Sequence, residues 1–158
     1  MDPNFPALAA AALIPLIVGL VWYSPAVVGR VVSSTNTAGK PALRIVFFIL
    51  LGILLTVAVM PVVIHQMHVF SILAGQPQAE IDATMNPLMA KYGNVYRTFK
   101  HGAFHGTLSA IFMALPILGI SAITERKRGK VVLAHLGYWV ITLALVGGVV
   151  CGFGFTTP

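Results

Sequence analysis

The chain has very few charged residues. Only 9% of its 158 residues are Asp, Glu, Lys or Arg, whereas an average soluble domain carries about 25%. A soluble globular enzyme is therefore excluded, because so little charge could not keep its surface hydrated. Disorder is excluded as well, since 58% of the residues are hydrophobic and the mean hydropathy is +0.90, and disordered chains show the opposite composition. The expected solvent of this chain is the lipid bilayer.

Cysteine and acidic residues are also scarce. Cys151 is the only cysteine, so an intramolecular disulfide is impossible. Four acidic residues face ten lysines and arginines, which leaves a net charge of +6. In a membrane protein such an excess reports orientation rather than nucleic-acid binding. Nucleic acid is therefore not an expected partner.

Four apolar stretches are each long enough to cross the membrane. A helix needs about 20 apolar residues to span about 30 Å of hydrocarbon, and the stretches cover residues 5–23, 43–64, 103–123 and 131–153. The sequence predicts an all-α integral membrane protein, with four transmembrane helices in a single domain over residues 1–158.

The segment between the second and third spans is polar. We expect a short interfacial helix there from Pro87 to Tyr92, with Gly93 as its stop. Asn94 is the expected cap of the third helix, which then begins before the membrane. This segment is expected to cover one end of the helix bundle.

Basic residues predict the orientation. Seven of the ten lie in the connections between spans one and two and between spans three and four, namely Arg30, Lys40, Arg44, Arg126, Lys127, Arg128 and Lys130. Because basic residues concentrate on the cytoplasmic side, both termini are expected to be periplasmic in a bacterial inner membrane.

Small residues recur every four positions in the last two spans. Span three carries Gly102, Gly106, Ala110 and Ala114, and span four carries Ala144, Gly148 and Gly152. Small side chains let two membrane helices approach closely. These stripes predict either packing of spans three and four against each other or self-association, unless the spacing arises by chance.

Four histidines flank the polar segment. His65 and His68 are three residues apart, and His101 and His105 are four apart, so each pair lies on one helix face. If spans two and three are neighbours, the four neutral imidazoles could hold Zn or Cu. A hydrogen-bonded cluster without metal and unrelated interfacial histidines are the alternatives.

Span four also carries polar residues on one face. His135, Tyr138 and Thr142 lie toward the middle of the bilayer, where an unpaired polar group is costly. We expect this face to contact a neighbouring helix, with a proton or ligand path as the alternative.

Several short motifs resemble a known family. Gly19 to Pro25 closes the first span with Trp-Tyr-Ser-Pro, Leu115-Pro116 and Glu125 to Lys127 follow, and the last span holds Gly137-Tyr138-Trp139 and Gly147-Gly148. The pattern is similar to small bacterial membrane proteins grouped as domain of unknown function 1761, over roughly residues 5–30 and 103–152. The resemblance implies a four-span helical membrane protein and implies no activity.

Motifs of enzymes are missing from the sequence. It has no H-E-x-x-H motif, so a zinc protease would lack its base. The favoured function is therefore a structural or accessory membrane protein, which associates with itself or with another membrane protein. The alternative is a metal-binding or small-ligand-binding membrane protein that uses His65, His68, His101 and His105.

Overall fold

A computed structural model describes residues 3–32, 41–63 and 72–156. This part of the chain is helical and contains no β-strand. The elements in chain order are α1 (Phe5–Trp22), α2 (Gly29–Val32), α3 (Pro41–Val63), α4 (Gln78–Tyr92), α5 (Phe99–Ser109), a π-helical turn (Ala110–Ala114), α6 (Leu115–Thr124) and α7 (Gly129–Phe153).

Three helical segments of the described chain are long and apolar enough to cross a membrane. They are Phe5–Trp22, Phe99–Ile123 and Gly129–Phe153, which match the first, third and fourth predicted spans. The second of these segments runs without interruption through α5, the π-helical turn and α6. The middle of α3 holds a shorter apolar stretch, Phe48–Ala58.

The π-helical turn precedes a proline. Pro116 has no backbone N–H and its ring crowds the preceding turn, so an ordinary α-helix cannot continue through it undisturbed. One helical turn contains an additional residue instead, and the backbone N–H of Leu115 bonds to the carbonyl of Ala110, five residues earlier. The helix therefore accommodates Pro116 with a local π-bulge.

α7 is the central helix of the bundle. It packs against α5, α1 and α3, and α1 also packs against α3. In an apolar stretch of 18 residues, 39% of the α7 residues are buried, compared with 22% for α1 and 11% for Phe99–Ile123. The buried core joins Leu8 and Ala11 of α1 to the second half of α7, where Val146 and Val150 are fully buried.

The start of α1 and the end of α7 meet at the same end of the bundle. The backbone N–H of Asn4 donates to the carbonyl of Gly154 at 2.8 Å, and the Asn4 side chain caps α1 by accepting from the N–H of Ala7 at 3.4 Å. Arg97 joins this end, because its guanidinium donates to the Phe155 carbonyl at 2.8 Å. We call this end the terminal end.

The polar segment differs from the prediction. α4 begins at Gln78 rather than Pro87, so Pro87 lies inside the helix, which ends at Gly93 as predicted. The predicted cap of the third helix is wrong as well. Tyr96 has a φ of 63°, a left-handed conformation that ends any helix begun at Asn94. Thr98 caps α5 instead, accepting from the N–H of His101 at 3.2 Å.

Candidate functional site

The C-terminal end of α1 packs against the first half of α7. Trp22 is the last residue of α1, and its indole Nε1 donates to the Ala134 carbonyl at 2.7 Å. The ring occupies space that a side chain at Gly137 would need, because a Cβ there would collide with it. Gly137 is therefore the residue that lets the indole reach the backbone of α7.

Tyr23 follows directly and contacts a polar residue of α7. Its hydroxyl lies 2.8 Å from Nδ1 of His135, and the two rings are tilted with centroids 5.6 Å apart. A phenol donates a proton readily, and a neutral imidazole has one acceptor nitrogen. The geometry fits Tyr23 as the donor, with the His135 proton on Nε2.

Tyr138 extends this contact toward the middle of the bundle. Its side chain is only 3% exposed, and its hydroxyl donates to the Pro15 carbonyl at 3.2 Å. Its ring lies between those of Tyr23 and Phe48, with centroids 5.3 and 5.8 Å away. The end of α1, α3 and α7 therefore all contribute to one aromatic–histidine cluster, defined here as Tyr23, Phe48, His135 and Tyr138.

Thr142 continues the same face of α7. It is completely buried, and its hydroxyl oxygen has no hydrogen-bond partner in the part of the chain that the structure describes. Thr56 of α3 is in the same situation. The polar face predicted for span four, His135, Tyr138 and Thr142, thus lies against protein. His135 and Tyr138 form hydrogen bonds and ring contacts with α1 and its C-cap residue and with α3, and the buried Thr142 hydroxyl has no hydrogen bond within the described residues.

The stripes of small residues lie along α5, the π-helical turn and α7. A Cβ at Gly102 would collide with the backbone of Gly147, and one at Gly106 with the backbone of Leu143 and Ala144. Ala110 is completely buried. Gly148 and Gly152 both face Phe99, at distances of 2.6 Å to its ring and 3.0 Å to its backbone nitrogen from an ideal Cβ.

His101 and His105 lie together near the terminal end. Their rings contact each other edge to face with centroids 4.5 Å apart, and Tyr96 stacks on His101 at 5.3 Å. His65 and His68 lie outside the described residues, and no group of three or more potential metal ligands occurs within residues 3–32, 41–63 and 72–156. α3 precedes His65 and His68 in the chain and α5 carries His101 and His105; both helices pack against α7. The four-histidine site stays a prediction.

Sequence analysis missed three of the residues that build the α1 contacts. The sequence indicates Trp22 and Tyr23 only as part of the Trp-Tyr-Ser-Pro motif that closes the first span, although both bond to α7. Gly52 was not singled out, although a Cβ there would collide with the carbonyl of Ala12. The available signal for the first two was the Trp-Tyr-Ser-Pro motif. A single glycine in an apolar helix gave no comparable signal for Gly52.

Two of the motifs behind the family resemblance meet in this cluster, since Trp22 and Tyr23 contact Gly137 and Tyr138. The chain matches the family described as protein of unknown function, DUF1761, over residues 6–151. It belongs to this family. No curated protein and no solved structure matches the chain. Membership in the family assigns no activity, so function has to be argued from the structure.

Proposed function

We propose that the chain is a four-span integral membrane protein in which α3 is the second span. α3 has 23 residues, and at 1.5 Å per residue it is long enough for about 30 Å of hydrocarbon. Its centre is apolar over Phe48–Ala58. It also packs against two helices that qualify as spans, α1 and α7.

An even number of spans places both termini on one side of the membrane. The contact between Asn4 and Gly154 supports this arrangement, because it joins the start of α1 to the end of α7. The connections rich in lysine and arginine then share the other side. By the distribution of basic residues that side is the cytoplasm, the termini are periplasmic, and the membrane is a bacterial inner membrane.

The proposed role is structural or accessory, through association with a further copy or with another membrane protein. The observation that carries it is that three polar side chains inside the bundle are hydrogen-bonded within the protein, whereas the outer surface of the bundle is apolar. Tyr23, His135 and Tyr138 are hydrogen-bonded between helices, and the outer face of Phe99–Ile123 presents large apolar side chains such as Phe112 and Ile117. Residues 101–124 and 131–156 contain no Asp, Glu, Lys or Arg. A pump or ion-coupled transporter usually has such a group in its pathway.

Reporter fusions and native mass spectrometry test this proposal. Alkaline phosphatase fused after Pro158 should be active, and the same enzyme fused after Arg128 should be inactive. The protein extracted from the membrane should appear as a multiple of 16.8 kDa or with a co-purifying membrane protein. An inactive fusion at Pro158 contradicts the orientation, and a lone chain under the mildest extraction contradicts the accessory role.

Metal binding is the second candidate function. It would use His65, His68, His101 and His105, of which His101 and His105 have ring centroids 4.5 Å apart. Elemental analysis of the purified chain should then find about one equivalent of Zn or Cu, and replacing both His101 and His105 by Ala should remove it. A chain without metal after purification in metal-supplemented buffer contradicts this candidate.

A further inference from the structure

A groove of about 590 Å³ lies between α6 and α7, beside the turn that connects them. This volume is within the range of about 300–1,000 Å³ that ligand sites occupy. The groove is shallow and largely open to its surroundings. It is lined by Gly119, Ala122, Ile123, Arg126, Lys127, Gly129, Val132 and Leu133.

The walls of the groove are apolar and belong to two membrane-spanning segments. Ile123 is 79% exposed and Leu133 is 65% exposed, so both side chains remain available for contact. An ideal Cβ at Gly119 would meet nothing within 4 Å. The surface of α6 at Gly119 therefore borders open space. The shape and apolar lining suit a hydrocarbon chain.

The mouth of the groove is positively charged. Arg126 and Lys127 line it, Arg128 and Lys130 follow within a few residues, and Glu125 is the single acid in this turn. Glu125 is already paired, because its carboxylate lies 2.8 Å from the Lys127 ammonium and accepts from the Ser121 hydroxyl at 2.5 Å. The turn therefore keeps an excess of positive charge.

Arg126 occupies a backbone position that favours glycine. Its φ is 52°, and its N–H and that of Lys127 bond to the carbonyls of Ile123 and Ala122. This is the Schellman arrangement, in which glycine usually takes the left-handed position. Replacing Arg126 by Gly therefore removes the cation while it relieves the backbone, which provides a variant that should still fold.

We propose that this groove binds an anionic phospholipid, with an acyl chain between α6 and α7 and the phosphate at Arg126 and Lys127. The proposal rests on membrane insertion of these two helices, which belongs to the proposed function. Basic pockets between transmembrane helices are known to take anionic head groups. An apolar groove that ends at cations matches the two chemically different parts of one lipid molecule.

Lipid retention tests the proposal on the full chain. The protein is placed in nanodiscs of equal parts dioleoyl-phosphatidylglycerol and dioleoyl-phosphatidylcholine, then extracted in mild detergent, and the retained lipids are counted by native mass spectrometry. The wild-type chain should retain phosphatidylglycerol in preference. Arg126→Gly should lower that preference roughly fivefold, since one cation near a lipid surface contributes about that factor.

Two further variants separate the groove from general charge. Gly119→Phe leaves every charge in place and fills the groove, so retention of phosphatidylglycerol should fall. Lys100→Gln removes one exposed cation near the terminal end and should leave retention unchanged. The thermal midpoint in detergent should stay close to the wild-type value in all three variants.

Four results overturn the proposal. Equal losses with Lys100→Gln and Arg126→Gly indicate an effect of net charge alone. Unchanged retention with Gly119→Phe excludes the groove as the chain-binding surface. Displacement of the lipid by soluble glycerol 3-phosphate at millimolar concentration indicates an anion site without a chain. Failure of the wild-type chain to enter nanodiscs overturns the proposed function together with this site.

Discussion

α7 contacts its two main neighbours through different chemistry. On the α5 side, Gly102 and Gly106 bring backbone against backbone, with no room for a Cβ at either position. On the α1 side, aromatic side chains fill the gap, and Trp22 and Tyr23 form hydrogen bonds to α7. The first contact depends on the absence of side chains, and the second depends on their presence.

The comparison shows two ways to hold helices together in lipid. Lipid tails are as apolar as the helices, so burial of apolar surface adds little, and close packing and hydrogen bonds have to supply the stability. The α5–α7 contact gains dispersion over the length of the seam. The α1–α7 contact gains hydrogen bonds. Trp22 and Tyr23, at the end of α1, fix the orientation of α1 relative to α7.

The largest expected effect comes from adding a methyl group to the glycine seam. In Gly106→Ala the new Cβ meets the backbone of Leu143, which can yield only if the helices separate. We expect a loss of about 1–3 kcal/mol in the free energy of unfolding. Gly148→Ala should cost less, because its Cβ meets the ring of Phe99, which can move. Denaturation of the purified protein by sodium dodecyl sulfate measures both values.

Gly119→Ala is the matched control for these variants. Its Cβ would meet nothing within 4 Å, so the helix should be as stable as before or slightly more stable, because alanine has the higher helix propensity. The order of destabilisation should be Gly106, then Gly148, then Gly119. An equal loss at all three positions would show that helix propensity or lipid contact, rather than the seam, determines the response.

A smaller effect is expected on the α1 side. Tyr23→Phe removes the hydroxyl that bonds to His135, and hydrogen bonds between membrane helices contribute about 0.6 kcal/mol on average and up to about 1.7. A double-mutant cycle of Tyr23→Phe with His135→Ala should give a coupling energy in this range. Tyr138→Phe should not alter this coupling, because its hydroxyl bonds to Pro15. A coupling energy of zero would show that the Tyr23–His135 hydrogen bond does not contribute to stability.

The smallest effect is expected at the turn before α7. Hydrogen bonds from Lys127 and Ser121 favour the charged form of Glu125 and hold the pKa of its carboxyl below the usual value of 4.5. The stabilisation is therefore complete above pH 4.5 and disappears as pH falls through the lower pKa of the folded protein.

A carboxyl titration followed by NMR should show this low pKa. Lys127→Gln should raise it back toward 4.5, with no measurable change in thermal midpoint, because the ion pair is exposed to solvent. A Glu125 pKa that does not respond to Lys127→Gln would contradict the ion pair.

The helices themselves could be predicted from the sequence better than their contacts could. Long apolar runs predicted the spans 5–23, 103–123 and 131–153, and helices occupy these regions with ends shifted by a few residues. Such runs determine helices because every backbone group has to be satisfied within the segment when no water is present. Less apolar segments were harder to predict, and α4 begins nine residues before its expected start.

Contacts between distant segments could be predicted only in part. The spacing of Gly102 and Gly106 indicated a packing face, and the face lies against α7. The partners of Trp22 and Gly52 could not be inferred, because a helix of this kind is apolar on every side and its sequence does not identify the side that meets a neighbour. Only the three-dimensional arrangement brings Trp22 to Gly137, across more than a hundred residues.

The contact of Trp22 with Gly137 joins α1 to α7. It can be measured directly by NMR in detergent micelles, with labelled tryptophan, phenylalanine and glycine and with Trp139→Phe to identify the Trp22 signals. We expect a nuclear Overhauser effect between the indole ring protons of Trp22 and the α-protons of Gly137. Its absence, with the corresponding effect between Phe99 and Gly148 present in the same sample, would contradict the claim that α7 holds both neighbours.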